Sequence, residues 1–317
     1  MTHKHTRAQA ALIHCNEYRD DLLYEALMRQ FTLLGGLDTF VKSGETVLLK
    51  PNFIAPRPRQ QATQTDPAVI IALARLLKDF GAKPFVGDSP AWGDVFACAQ
   101  AIDLDEPLRA LGVPLRQLDN PRKIYIPEAH CNVGISAVAL DADKIINVPK
   151  FKSHQQLVAT FAVKNMFGTV SGKAKAYWHF VRGKDEEKFC KLLIGIYAYL
   201  NPILTIIDGI TAMEGPGPIN GRPRPLGFLI AGQDPIACEI ACARLIALPP
   251  EDLPIVRTAR KISFGCGDPE HIEFLGDDFD ICRDFERAEL IPIRFSLPRV
   301  CKSIAKQLLR RLYQPDT

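Results

Sequence analysis

Two lysines and a histidine stand at alternate positions in Asn147-Val148-Pro149-Lys150-Phe151-Lys152-Ser153-His154. In an extended chain alternate side chains point to one side, so Lys150, Lys152 and His154 share a face. Three hydrogen-bond donors on one face suit a carboxylate or phosphate; the plainer alternative is a solvated strand end. Lys164 and Asn165 follow in Thr160-Phe161-Ala162-Val163-Lys164-Asn165-Met166-Phe167-Gly168. A lysine among apolar neighbours loses proton affinity and can act as nucleophile, base or covalent attachment point. Its stem can equally snorkel at a helix end. His179 sits among aromatics in Ala176-Tyr177-Trp178-His179-Phe180. A histidine in such company is more often a packed core residue than a ligand, and the preceding His154 and Lys164 are what make it a candidate. One continuous helix over 153–166 would hold His154 and Lys164 about 15 Å apart, sharing only a large ligand. A break would let them converge.

These residues need elements to position them. Residues 1–43 read as a helical lead-in, with Leu22, Leu23, Leu27, Phe31 and Leu34 on an apolar stripe. Residues 46–49 read as a strand ended by Lys50-Pro51-Asn52. Asp66-Pro67 starts a helix over 68–80, with Asp as cap and Pro at the first position. Strands are expected over 84–87, 143–148, 203–207 and 227–231, with a late edge strand at 271–275. Asp234 caps a helix over 236–247. The order strand, helix, strand implies parallel pairs joined by crossover helices. The expected fold is therefore α/β, a mixed and mostly parallel sheet with flanking helices, in one or two lobes. Its core spans 44–280, with a cleft near 140–180. A C-terminal extension, 281–317, ends in a basic amphipathic helix over 299–313.

Polar residues recur just past the carboxyl ends of these strands: Lys50 and Asn52, Asp88, Lys150 and Lys152, Asp208. In open α/β sheets ligands bind at that edge. Thr65 and Asn165 join them as candidate ligand-binding residues. Residues 208–225, rich in Gly and Pro, read as a rigid loop. It lacks the Gly-Lys-Ser/Thr ending of a phosphate-binding loop. Asp208 and Glu214 could form an acidic pair or hold a cation, and for Glu214 loop capping is an equal alternative. Cys238 and Cys242 share a helical face among alanines, which favours a core position over metal. Cys266, in Phe264-Gly265-Cys266-Gly267-Asp268, is the candidate metal-facing or reactive thiol.

Composition narrows the classes. Over 317 residues, 39 basic against 36 acidic side chains leave +3. A dedicated nucleic-acid binder usually carries a strongly basic face, so no nucleic-acid partner is expected. The most apolar stretch, 192–207, is too short to span a bilayer. The polar start has no signal-peptide core. Nine scattered cysteines, an odd number without a CxxC pair, suit reduced thiols and a cytoplasmic location. The C-terminal helix could touch an anionic membrane surface, though packing on the body is commoner.

In order along the chain, these blocks resemble the prokaryotic family called domain of unknown function 362. The matching pieces begin with Gly44-Glu45-Thr46-Val47-Leu48-Leu49-Lys50-Pro51-Asn52, Thr65-Asp66-Pro67 and Gly87-Asp88-Ser89. Residues 143–154 and 160–168, then Ile207-Asp208-Gly209, 213–218 and Ala231-Gly232-Gln233-Asp234-Pro235, complete them. The resemblance implies an iron–sulfur protein, because many members carry a ferredoxin-like cysteine module; this sequence has no CxxCxxC run for a four-iron cluster. A fainter resemblance is to the nickel-pincer lactate racemase superfamily. There a histidine, a later lysine and a further histidine surround a nickel–pyridinium cofactor, the order of His154, Lys164 and His179. That family's Gly-rich turn is replaced here by 157–163. This resemblance implies a metal ion or a nickel-pincer-like cofactor.

Together these features predict an enzyme acting on an anionic small molecule, a carboxylate or phosphate, with racemase- or epimerase-like or redox chemistry. Lys50, Lys150 and Lys152 would bind the anion. Lys164, His154 and His179 would supply acid–base or cofactor-assisted chemistry. The alternative is an iron–sulfur or other metal-binding redox protein without its own substrate, which the cysteine spacing disfavours. The small anionic ligand is the expected partner, and a homo-oligomer is compatible with the sequence.

Overall fold

A computed structural model describes residues 7–171 and 174–294; the basic helix expected over 299–313 lies outside the described residues. The strands are β1 (Ala8–His14), β2 (Thr46–Pro51), β3 (Lys83–Asp88), β4 (Leu115–Gln117), β5 (Pro121–Ile126), β6 (Cys131–Ser136), β7 (Lys144–Val148), β8 (Lys150–His154), β9 (Val158–Thr160), β10 (Leu204–Glu214), β11 (Arg222–Gly232) and β12 (Ile272–Gly276). Ten of them form one sheet in the order β12-β1-β11-β10-β7-β2-β3-β4, with β8 beside β10 and β9 beside β8. Strands β5 and β6 form a separate hairpin. The β1–β11, β10–β11 and β8–β9 pairs are antiparallel. The β1–β12, β7–β10, β8–β10, β2–β3, β2–β7 and β3–β4 pairs are parallel. The sheet is thus mixed and mostly parallel, flanked by helices.

The short apolar runs explain why the sheet is covered on both sides. Successive strand residues point to opposite faces. Leu48 and Ile145 enter one apolar layer with Phe151, Phe161, Phe189 and Leu193. Val47, Leu49 and Ile146 enter the other with Leu23, Phe31, Ile70 and Leu73. Strands buried on both faces read as continuous apolar segments rather than alternating ones. Helices Asp20–Leu33 and Pro67–Asp79 supply the second layer, and helices Glu186–Leu200 and Pro235–Leu245 the first. Asp66 accepts from Ala68 N, and Asp234 from Ile236 N and Ala237 N. Both caps lie where an acid precedes Pro at a helix start.

Two expectations are corrected, and one alternative left open is decided. Residues 8–14 are not part of a helical lead-in: they form β1, inside the sheet between β11 and β12. Its Ala10, Ala11, Leu12 and Ile13 are buried, a strand-like run masked by the amphipathic helix that follows. Second, residues 208–225 are mostly strand, because β10 runs on through Asp208-Gly209 to Glu214 and returns as β11. Long antiparallel pairing overrides the local Gly and Pro signal. Of the two alternatives for 153–166, the break is the one found: no continuous helix covers it. The chain reverses after His154, so that β9 pairs antiparallel with β8, and a single helical turn, Ala162–Asn165, follows.

Residues 144–154 form one extended run interrupted at Pro149, which has no N–H to give a ladder. Before it, β7 lies between β2 and β10. After it, β8 stays with β10, Lys150 opposite Asp208 and Lys152 opposite Met213, and leaves β2. The sheet splits there. The loop 52–66 returns across the split: the Thr65 hydroxyl donates to Val148 O at 2.7 Å and accepts from Asn52 N at 2.8 Å.

Candidate active site: a buried lysine cluster at the sheet split

Side chains from four strands and two helices meet at this split. Lys50 ends β2 and pairs with Asp88 at the end of β3, with 2.8 Å between Nζ and Oδ1. Asp88 also accepts from the Phe53 and Ser89 amides, each at 2.7 Å. Gly168 lies directly over this pair, and a Cβ there would run into both Asp88 Oδ1 and Lys50 Nζ. Lys150 pairs with Asp208 at 2.7 Å. Asp208 accepts in addition from Tyr18 OH and Asp66 N, both at 2.9 Å. Lys50, Lys150, Asp88 and Asp208 are all at most 1 % exposed. Such charges are tolerable only because each is paired and its remaining polar atoms are bonded.

Lys152 is buried equally deeply but faces no carboxylate among its bonded partners. Its ammonium donates to Asn52 Oδ1 at 2.5 Å and to Thr63 O at 2.8 Å. A run of amides fixes this arrangement. Asn147 Nδ2 must face Ala162 O and Asn165 Nδ2 must face Lys50 O, because carbonyls only accept. Asn165 Oδ1 is then left to accept from Asn52 Nδ2 at 2.7 Å. Asn52 Oδ1 in turn is presented to Lys152. Thr160 stands opposite Lys152 on β9, so both side chains occupy one face of the hairpin. The hydroxyls of Thr160 and Thr63 are buried and have no hydrogen-bond partner among the described residues.

The hairpin reversal brings the separated catalytic candidates into electrostatic reach. Burial first, then the charges of Lys164, His179 and Lys152, push the His154 imidazole well below its ordinary range. His154 Nδ1 accepts from Gln156 N at 3.0 Å, so the neutral ring carries its proton on Nε2. His179 Nδ1 lies 3.2 Å from Ile293 O. A carbonyl only accepts, so this nitrogen carries the proton. Burial and Lys164 lower His179 to about 3, and its ring packs against Phe167 and Phe189. Half-buried Lys164 has no hydrogen-bond or ion-pair partner among the described residues, and burial lowers it to about 8. The resulting site has carboxylate-matched lysines beneath and unmatched lysines above.

Three groups were missed from sequence: Lys175, Glu239 and Tyr18. Lys175, on helix Ala174–Arg182, donates to Ser89 O, and burial lowers it to about 7. Glu239 accepts from Val163 N at 3.0 Å and so holds the turn that carries Lys164; burial raises it to about 7. Glu239 did leave a signal, as a lone acid in the apolar run Ile236-Ala237-Cys238-Glu239-Ile240-Ala241. Tyr18 left none, since its partners Lys150 and Asp208 are distant in sequence.

Other candidates lie elsewhere or are already engaged. Thr65 is used in joining the loop to β7. Glu214 accepts from Glu286 N at 3.0 Å and faces Arg222 at 3.9 Å, so it secures the segment after 281. Cys266 is at the opposite edge of the sheet: its amide donates to Asp234, which follows β11 where Gly232 pairs with Thr205 at the start of β10. A shallow depression lined by Arg260, Ser263, Gly267 and Asp268 accompanies it and gathers no convergent chemistry. Cys238 and Cys242 are fully buried in the apolar layer. Among the described residues no three His, Cys, Asp or Glu are grouped to hold a metal, and the His154 tautomer puts a proton on the nitrogen that would face one. These donors do not fit a metal held by protein side chains.

The fold and site define an α/β protein with a buried cationic centre at the carboxyl edge of a split sheet. A family model described as domain of unknown function (DUF362) matches residues 47–244, and the chain belongs to that family. The match spans Lys50 to Glu239 and leaves out Tyr18 and Ile293. The chain is 36 % identical over 310 residues to the thylakoid-associated protein sll1697 of Synechocystis sp., covering 95 % of this chain and 94 % of that one. The lactate racemase apoprotein from Thermoanaerobacterium thermosaccharolyticum shares the fold, with a TM-score of 0.50 at 10 % identity. That superposition covers 76 % of this chain and 58 % of the racemase. Among the described residues no helix is long and apolar enough to cross a membrane.

Proposed function

We propose that the protein is an enzyme that binds an anionic small molecule, a carboxylate or phosphate, over Lys152 and Lys164 and moves a proton on it. The observation that carries the reading is the mismatch of buried charge. Asp88 and Asp208 answer Lys50 and Lys150, whereas among the described residues Lys152, Lys164 and Lys175 have no carboxylate bonded to them. An unpaired ammonium in a protein interior costs several kcal/mol. The cost is relieved by losing the proton or by gaining an anion. Lys152 would anchor the anionic group, with His154 Nε2–H donating to one of its oxygens. Lys164 in its neutral form would take the proton, as a base tuned near working pH does. Racemase- or epimerase-like chemistry suits such a base, and the fold shared with lactate racemase is compatible with it. A cytoplasmic location belongs to the same proposal, resting on eight free thiols among the described residues.

Calorimetric titration of the full chain with inorganic phosphate and with acetate tests this. Binding of at least one is expected, accompanied by proton uptake, and weakened tenfold or more in Lys152→Met. Lys164→Ala should reduce the proton uptake. If both bind Lys152→Met as they bind the wild type, or if neither these nor short dicarboxylates bind, the reading fails.

A further inference from the structure

The unmatched lysines do not sit at one point. Lys152 lies on β8, between Thr160 and the loop residue Thr63, and the charges it feels are those of Lys164, Lys150, Asp88 and Lys50. Lys175 lies on the helix Ala174–Arg182, with its ammonium on Ser89 O, next along the chain from Asp88. It feels Asp88, Lys50 and Lys164. Lys164 acts on both, as do Lys50 and Asp88. Asp88 is already matched by Lys50, so among the described residues Lys175 has no counter-charge of its own.

We propose that the ligand of this site carries two anionic groups at its two ends, as a short dicarboxylate or a phosphorylated carboxylate does. One end would lie on Lys152 and the Thr63 and Thr160 hydroxyls, the other on Lys175, and Lys164 would face the atoms between them. The proposal rests on the reading of the cluster as an anion-binding active site and narrows its substrate class.

The charge count supports two groups. A monoanion answers one of three unmatched ammoniums and leaves the others to shed their protons. A second anionic group at the Lys175 end answers another. The Thr63 and Thr160 hydroxyls are an independent indication at the Lys152 end. They are buried polar groups without a partner among the described residues, and a ligand that bonds to them would relieve the cost of leaving them unsatisfied. Thr160 shares the Lys152 face of its hairpin, and the Thr63 carbonyl already holds the Lys152 ammonium. A carboxylate there would accept from the lysine and from both hydroxyls.

The test is a length series on the full chain: acetate, malonate, succinate, glutarate and inorganic phosphate, each titrated calorimetrically at pH 7. At least one dicarboxylate is expected to bind tenfold or more tighter than acetate. Lys175→Met and Lys175→Gln should remove that advantage, bringing the ratio of dicarboxylate to acetate affinity down to about one. Lys152→Met should weaken acetate and dicarboxylates alike. Dicarboxylates that bind no better than acetate would overturn the two-ended ligand. So would an advantage that survives both Lys175 variants, or phosphate binding tightest regardless of Lys175. In those cases Lys152-dependent binding of a single anion leaves the broader reading intact. Failure of every probe to bind is the separate result that removes both.

Discussion

Lys150 and Asp208 stand opposite each other on neighbouring parallel strands, their charged ends 2.7 Å apart and both out of reach of solvent. Their pairing locks β8 to β10 just after Pro149 has released it from β2. It thereby holds open the split in which Lys152 sits. Breaking a buried pair by removing one partner typically costs about 3–5 kcal/mol, because the other charge is stranded. Lys150→Met is expected to lose that much in urea unfolding, and Lys150→Met combined with Asp208→Asn to recover part of it. A loss under about 1 kcal/mol for the single change would show that the pair does not hold the split.

Gly168 should tolerate no side chain. Its Cα rests on the Lys50–Asp88 pair, which strand ends and two backbone amides hold in place. Gly168→Ala is expected to destabilise by about 1–3 kcal/mol, as overpacking does. A melting temperature equal to that of the wild type would contradict the close approach.

Lys164 should titrate near pH 8, below its ordinary 10.5. Between those values the unfolded chain holds a proton that the folded chain lacks, so stability rises with pH across that window. Lys164→Met is therefore expected to be more stable than the wild type below pH 8, with the difference closing by pH 10.5. Acylation of the amine, followed by mass spectrometry as a function of pH, reads the group directly. Half-maximal labelling at the pH of a surface lysine would refute its burial.

Glu239 has the opposite sign. Burial raises it from 4.5 to about 7, so the folded chain keeps a proton that the unfolded chain loses. Its stabilising contribution is complete below pH 4.5 and is lost as pH rises through about 7. Glu239→Gln keeps an acceptor for Val163 N and should flatten the fall in melting temperature between pH 5 and pH 8. Glu239→Ala removes the acceptor and should cost about 1–3 kcal/mol at both pH values. Equal pH profiles for the wild type and Glu239→Gln would show that the carboxyl does not titrate in this range.

The sequence by itself determined what is local. Asp66-Pro67 and Asp234-Pro235 mark helix starts because a capping carboxylate needs only the next two or three amides. Lys150, Lys152 and His154 share a face because extended chain alternates. The short apolar runs announce a sheet covered on both sides, and Cys238 and Cys242 were legible as core. Tertiary structure decided the rest. Whether Lys152 has a carboxylate partner depends on Asn52 and Thr63, which a loop on another strand brings to it. Whether His154 and Lys164 meet depends on a hairpin reversal that a helix-compatible pattern concealed. Tyr18 reaches Asp208 across 190 positions, and β1 owes its place to pairing with β11 and β12. The partners of an ammonium are fixed by strand order and loop closure, and those follow from burying the whole sheet at once rather than from the residues on either side of a lysine.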